Sequence, residues 1–277
     1  MKNKIPDFAY HMTKFFTEYL PIQRNLSPNS IATYRDTFRL LLLFYDTEKH
    51  IKPNLLTLDM LDVQGIEDFM LWLKKERNCG ASTCNQRLGA LKSFFRYLQF
   101  ALPDRALQCQ ENLAIRPMKQ SEPGLKYLTI DGIKLLLEQP DIKTKYGRRD
   151  LAILSLMYDT GARVQEIADI KIVHIRFSAP ATIRITGKGD KTRVVPLLSR
   201  TEDILKQYIK DFKIDAGGND AYLFQNRNGQ HLSRFGISYI LTKYADKARK
   251  VHPELIPERL SPHCIRHSKA MHLYKQM

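Results

Sequence analysis

Three short stretches of this chain hold the residue types that handle a phosphodiester. They are "TGARVQEIADI" with Arg163, "TGKGDKT" with Lys188, and "SPHCIRHSKA" with His263 and Arg266. Two arginines, a lysine and a histidine are enough to neutralise and position a phosphate as charge builds on its nonbridging oxygens. That chemistry demands no metal. His263 and Arg266 are three residues apart, so a helix puts them on one face, where an imidazole and a guanidinium can clamp an anion. Arg163 follows Gly161, a helix-ending glycine, and Glu166 lies within reach one helical turn on. Lys188 sits between Gly187 and Gly189 at the tip of an expected hairpin. There it can act as a mobile cation that enters a groove and reaches a phosphate or leaving group.

Each stretch alone has a plainer explanation. Arg163 and Glu166 have the spacing of a surface salt bridge, Lys188 that of a solvated hairpin residue, and His263 that of a helix cap after "SP". Two more specific readings fail on the letters. "TGKGDKT" lacks the spacing of a phosphate-cradling loop and precedes a strand instead of a helix. His263 and His267 have the i, i+4 spacing of a zinc helix, but Cys264 stands where the catalytic glutamate belongs and Arg266 would put a fixed charge beside the metal.

The elements that must position these residues fall into two parts. From Pro6 to about Gln99 the apolar spacing is helical, as in Phe8, Phe15, Phe16 and Tyr19, then Ile31, Tyr34, Phe38, Leu41 and Leu42. "SPNS" at Ser27 to Ser30 supplies a capping serine and a first-turn proline. "LDMLDVQGIEDFMLWLKKERN" reads as a third helix and "ASTCNQRLGALKSFFRYLQF" as a fourth, capped by Ser82 or Thr83. An all-helical domain is expected over 1–102. Residues 103–126, with three prolines and little periodicity, read as a linker. Over 127–277 helices alternate with "ATIRITGKGDKTRVVPL", whose β-branched alternation around "GKGD" is a hairpin pattern, and helices return at about 199–212 and 234–250. The second domain is expected to be mainly α, with a small antiparallel sheet.

Composition narrows the partner. The 277 residues carry a formal net charge of +15, clustered in "KTKYGRRD", "GKGDKTR", "KARK" and "ERLSPHCIRHSK". A polyanion such as nucleic acid is the common physical partner of such a field. None of these clusters forms a basic amphipathic helix, and no apolar run approaches the ~20 residues of a membrane span. The N-terminus has no secretory pattern. Cys79, Cys84, Cys109 and Cys264 make no CxxC pair, which suits reduced thiols in the cytoplasm.

In order and spacing, "TGARVQEI", "GKGDKTRVVPL" and "SPHCIRHSKA" resemble the motifs of the tyrosine recombinases, the lambda-integrase and Xer-like enzymes. "LSPNSIATYRDTFRLLLLFY" and "ASTCNQRLGALKSFFRYL" resemble helices of that family's N-terminal core-binding domain. The resemblance implies a site-specific DNA recombinase, an integrase or transposase of a mobile element, whose two domains close on duplex DNA as a clamp. A tyrosine attacks the scissile phosphate to give a 3′-phosphotyrosine, and a 5′ hydroxyl reverses the step. By the same resemblance Arg163, Lys188, His263 and Arg266 are catalytic, and Lys188 protonates the leaving 5′ oxygen. Glu166 and His267 support them, four protomers assemble on two sites, and no cofactor or metal is used. A nucleoid-associated place in the cytoplasm follows.

The family carries a further His or Trp and the nucleophilic tyrosine well downstream of the HxxR arginine, where this chain has only "HSKAMHLYKQM". Tyr274 is a poor substitute, since eight residues of helix from Arg266 amount to ~12 Å of rise on the same rod. The expectation is a chain truncated before its nucleophile, naturally or by design, that binds DNA without cutting it. Two other classes stay open: a non-cleaving DNA-binding regulator descended from a recombinase, and a type IB topoisomerase.

Overall fold

The computed structural model describes residues 7–120, 127–187, 189–214, 218 and 220–276. The chain forms two separately packed units, Met1–Glu122 and Pro123–Met277.

The described residues of the first unit are helical and hold no strand. α1 (Asp7–Lys14) runs on into a wider π-type turn over Phe15–Gln23, followed by α2 (Pro28–Thr47), α3 (Val63–Lys75), α4 (Ala81–Ala101) and α5 (Ala106–Ala114). α2 starts where expected: the Ser27 side chain accepts from the Ser30 N–H and Pro28 occupies the first turn. α3 is capped by Asp62, which accepts from the Gly65 N–H at 2.7 Å. α4 differs from expectation. Its cap is Gly80 with no side-chain hydrogen bond, and Ser82 and Thr83 lie inside the first turn.

The stretch read as a linker is partly folded. α5 occupies 106–114 with Cys109 and Asn112 buried, and the first unit extends to Glu122. Gln108 donates to the Leu58 carbonyl at 2.6 Å and Asn112 to that of Leu61 at 3.0 Å. Further on, the Asn85 amide donates to the Met118 carbonyl and accepts from the Met118 N–H, both at 2.8 Å. These partners are distant in sequence, so the segment's own periodicity does not announce them. Pro103 and Pro117 flank α5.

The core of this unit is aromatic. Phe94 is fully buried, with the rings of Phe8, Phe15 and Phe38 edge-on to it at centroid distances of 5.9, 5.1 and 5.2 Å. Phe94→Ala is expected to cost ~3–5 kcal/mol, read as a lowered denaturant midpoint of the first unit's transition. A loss below about 1 kcal/mol would remove this cluster from the centre of the core.

The second unit contains α6 (Ile130–Glu138), α7 (Lys145–Thr160), α8 (Val164–Ala168), a three-stranded sheet, α9 (Ser199–Phe212), α10 (Arg234–Val251) and α11 (Pro262–Gln276). β1 (Ile175–Arg176), β2 (Thr182–Thr186) and β3 (Thr192–Pro196) pair antiparallel in the order β1-β2-β3. The expected hairpin is β2–β3, in register Ile183↔Val195 and Ile185↔Arg193. β1 is an added strand that two residues of sequence could not signal. Ile183 and Ile185 point into a core shared with Ile153, Leu156, Ile167, Tyr208 and Leu241. No described helix is long and apolar enough to cross a membrane.

Candidate active site

The site grows from the end of α7. Gly161 adopts the left-handed conformation, φ 55°, that ends a helix and that most side chains avoid. The chain turns there, and Arg163 becomes the capping residue of α8 with extended backbone. Its backbone N–H donates to Glu166 Oε2 at 3.0 Å, and its guanidinium Nη1 donates to Oε1 of the same carboxylate at 2.9 Å. A second arginine reaches it from β3: Arg193 Nη2 donates to Oε2 at 2.7 Å.

The Glu166 side chain is 4% exposed, whereas that of Arg163 is 55% exposed. The pair is therefore a buried carboxylate holding an arginine whose outer face is free for solvent or ligand. Burial by itself would raise the Glu166 pKa, but hydrogen bonds from Arg193 and from the backbone and side chain of Arg163 outweigh it and lower it to about 2. For such a depressed carboxylate the stabilisation is complete above the ordinary value of 4.5 and is lost as pH falls toward 2.

α11 brings the other half. Its inner face is tied down by Ile265, Ser268 and His272, all buried. Ser268 Oγ accepts from the Leu128 N–H at 2.8 Å, and Tyr158 OH and His272 Nδ1 share a hydrogen bond of 2.8 Å. Lys269 reaches Asp159 at 3.6 Å, at the end of α7. So fixed, α11 points Arg266 back at the α7–α8 turn, where Nη1 donates to the Gly161 carbonyl at 2.8 Å. This bond takes one of five guanidinium N–H groups.

Arg163, His263 and Arg266 converge on a pocket of ≈ 320 Å³, completed by Val164, Ser238, Ser261 and Pro262. His263 meets His267 edge-to-face, ring centroids 4.3 Å apart. Its pKa is lowered, first by partial burial and then by its neighbours His267, Arg266 and Arg163. At neutral pH His263 is thus a neutral imidazole beside two fixed cations, able to accept a proton or donate one hydrogen bond.

Of the residues singled out in the sequence, Arg163, His263 and Arg266 come together. Glu166 lies beneath Arg163, and His267 backs His263 outside the pocket lining. Lys188 lies outside the described residues, but both flanks of its turn are placed: the Gly187 N–H donates to the Lys191 carbonyl at 2.9 Å. Tyr274 is 76% exposed on α11, the helix that carries Arg266. Among the described residues no three His, Cys, Asp or Glu side chains gather as a metal site. The sequence reading passed over Arg193, although it stands in the quoted hairpin, and took Gly187 only as a flank of the turn. Strand alternation puts Arg193 on the inward face with Val195, and that signal was available.

Residues 126–277 match the phage integrase family, and residues 14–100 match the N-terminal SAM-like domain of phage integrases. The chain belongs to the phage integrase family of tyrosine recombinases. This recombinase is 34% identical over 262 residues to the integrase/recombinase y4rC of Sinorhizobium fredii, covering 95% of this chain and 78% of that one. It is 31% identical over 265 residues to tyrosine recombinase XerD of Listeria monocytogenes, covering 93% and 83%. Its fold is similar to that of XerH recombinase bound to its difH substrate, with a TM-score of 0.66 at 24% identity over 91% of this chain and 70% of that one. The Tn1549 transposon integrase in complex with circular intermediate DNA gives 0.73 at 15% identity over 99% and 88%. The family's chemistry is the cleavage and rejoining of DNA strands.

Proposed function

We propose that this recombinase binds duplex DNA at specific sites and exchanges strands through a 3′-phosphotyrosine, as the integrase or transposase of a mobile element. The observation that carries the reading is the convergence of Arg163, His263 and Arg266 on one open pocket, in a chain with 15 more cations than carboxylates. The two guanidiniums bind the nonbridging oxygens, which gain charge as the phosphorus becomes five-coordinate. His263, neutral at physiological pH, accepts the proton of the attacking hydroxyl or hydrogen-bonds the phosphate, with His267 holding its ring. The P–O5′ bond breaks as the P–O(tyrosine) bond forms, and Lys188 supplies the proton that the 5′ oxygen needs to leave. A 5′ hydroxyl attacking the phosphotyrosine restores the diester and frees the tyrosine.

The two units are read as closing on DNA as a clamp, four protomers as assembling on two sites, and the protein as working on DNA in the cytoplasm. The fold neighbours are XerH bound to its difH substrate and the Tn1549 integrase in complex with circular intermediate DNA, which supports DNA as partner. The match of residues 14–100 to the SAM-like domain of integrases supports recombination over topoisomerase action.

Tyr274 is not the attacking residue in this scheme. It stands two turns along the helix whose Arg266 must hold the phosphate, with its ring in solvent. A nicked, labelled DNA site trapped on a denaturing gel tests this. The expected result is tight binding, with any covalent adduct retained in Tyr274→Phe. An adduct that disappears in Tyr274→Phe would overturn the assignment.

A further inference from the structure

Arg193 lies outside the pocket yet donates a 2.7 Å hydrogen bond to the same buried carboxylate that orients Arg163. A third contact reaches Glu166 from the hairpin itself. A Cβ on Gly187 would stand 2.6 Å from Glu166 Oε1 and 3.7 Å from Arg163 Nη1, so the hairpin backbone rests directly on the ion pair. Gly187 is the last residue before Lys188, and Arg193 pairs across the hairpin with Ile185. Both strands that carry the lysine turn are therefore fastened to Glu166 at their turn ends, one by close approach and the other by an ion pair.

We infer that Arg193 is a positioning residue: through Glu166 it locks the turn end of the β2–β3 hairpin to the Arg163 guanidinium, so that one shared carboxylate sets both phosphate-handling elements. The carboxylate has two oxygens and, among the described residues, three donors. The Arg163 N–H and Arg193 Nη2 share Oε2, while Arg163 Nη1 donates to Oε1. Removing Arg193 leaves Oε2 with one donor and lets the carboxylate rotate, and the Arg163 guanidinium moves with it. Among the described residues, the charged groups that hydrogen-bond Glu166 are Arg163 from the start of α8 and Arg193 from β3, with the Gly187 backbone closing the third side. The inference rests on the proposed function only where it treats Arg163 as the phosphate-binding arginine.

The test uses the whole chain, labelled for NMR at glutamate carboxyls and arginine side-chain nitrogens, in parent, R193Q, R193K and G187A forms. In the parent, Glu166 is expected to titrate at about 2 and Arg163 to show slowly exchanging, resolved Nη signals. In R193Q the Glu166 midpoint should rise by about one to two units and the Arg163 Nη signals should broaden, while the melting temperature falls by no more than about 4 °C. R193K, which keeps the charge but not the fork, should recover part of both. G187A should broaden the Arg163 signals with Arg193 untouched. Unchanged Arg163 signals in R193Q and G187A, or an ordinary Glu166 midpoint in the parent, would overturn the coupling. Adding duplex DNA to the parent separates the two ideas. If DNA binds without shifting the Arg163 signals, the phosphate assignment falls, and the R193Q comparison still decides the coupling.

Discussion

Replacing Arg266 with Ala is expected to lower phosphodiester cleavage at a bound site by ~10²–10³ while changing site affinity less than about ten-fold. The cleavage can be read without deciding which tyrosine attacks, by supplying a strong small nucleophile such as hydrogen peroxide to a nicked duplex held by the protein. Two losses add in this variant. The first is a cation at the pocket wall, worth most where the phosphate gains charge and little in the ground state, so the effect falls on rate and not on binding. The second is the 2.8 Å tether from Arg266 to the Gly161 carbonyl, which holds the turn that delivers Arg163. Arg266→Lys keeps the charge but cannot both hold the carbonyl and fork onto a phosphate, so its rate should fall between the two. Equal rates for parent and Ala variant would remove Arg266 from the chemistry, and loss of binding would make it a docking residue.

The contrast between Arg266 and Glu166 shows what the letters could and could not convey. "HCIRH" needs only helical geometry to bring His263 and Arg266 to one side, and the helix beginning at Pro262 delivers it. The same holds for the α7 stop at Gly161 and for α9 and α10, whose limits fall within a residue of the periodicity. Glu166 is different. Its spacing from Arg163 is that of an ordinary surface pair, and only tertiary structure makes it buried, by laying β3 and Gly187 over it. α5 escaped for the same kind of reason. A nine-residue helix between prolines is too short to declare a period, and its anchors are carbonyls at Leu58 and Leu61, some fifty residues away. Local patterns therefore revealed elements and the residues that each carries on one face. Contacts between elements had no local pattern to reveal them: strand alternation turns Arg193 inward, but nothing local says that it meets Glu166 or that Glu166 is buried.

Affinity for duplex DNA is expected to fall by ~10³–10⁵ between 50 and 200 mM salt, through release of the counterions condensed on the duplex. The chain has 44 lysines and arginines against 29 aspartates and glutamates, so 15 cations are left over even if every carboxylate is paired. If about 6–10 of these meet phosphates, the slope of log affinity on log salt lies near −5 to −9. Arg163 adds to them despite its ion pair with Glu166, because that pair leaves 55% of its side chain exposed. Arg163→Ala should accordingly reduce the slope by about one unit and weaken all sequences nearly equally. Binding curves of the parent and this variant, taken on a selected site and on a random duplex, give both quantities at once. A parent slope shallower than about −2 would mean that the excess charge does not face DNA, and it would remove the clamp. A steep slope left unchanged by Arg163→Ala would keep the clamp but take Arg163 off the phosphate, because a guanidinium that displaces no counterion makes no backbone contact.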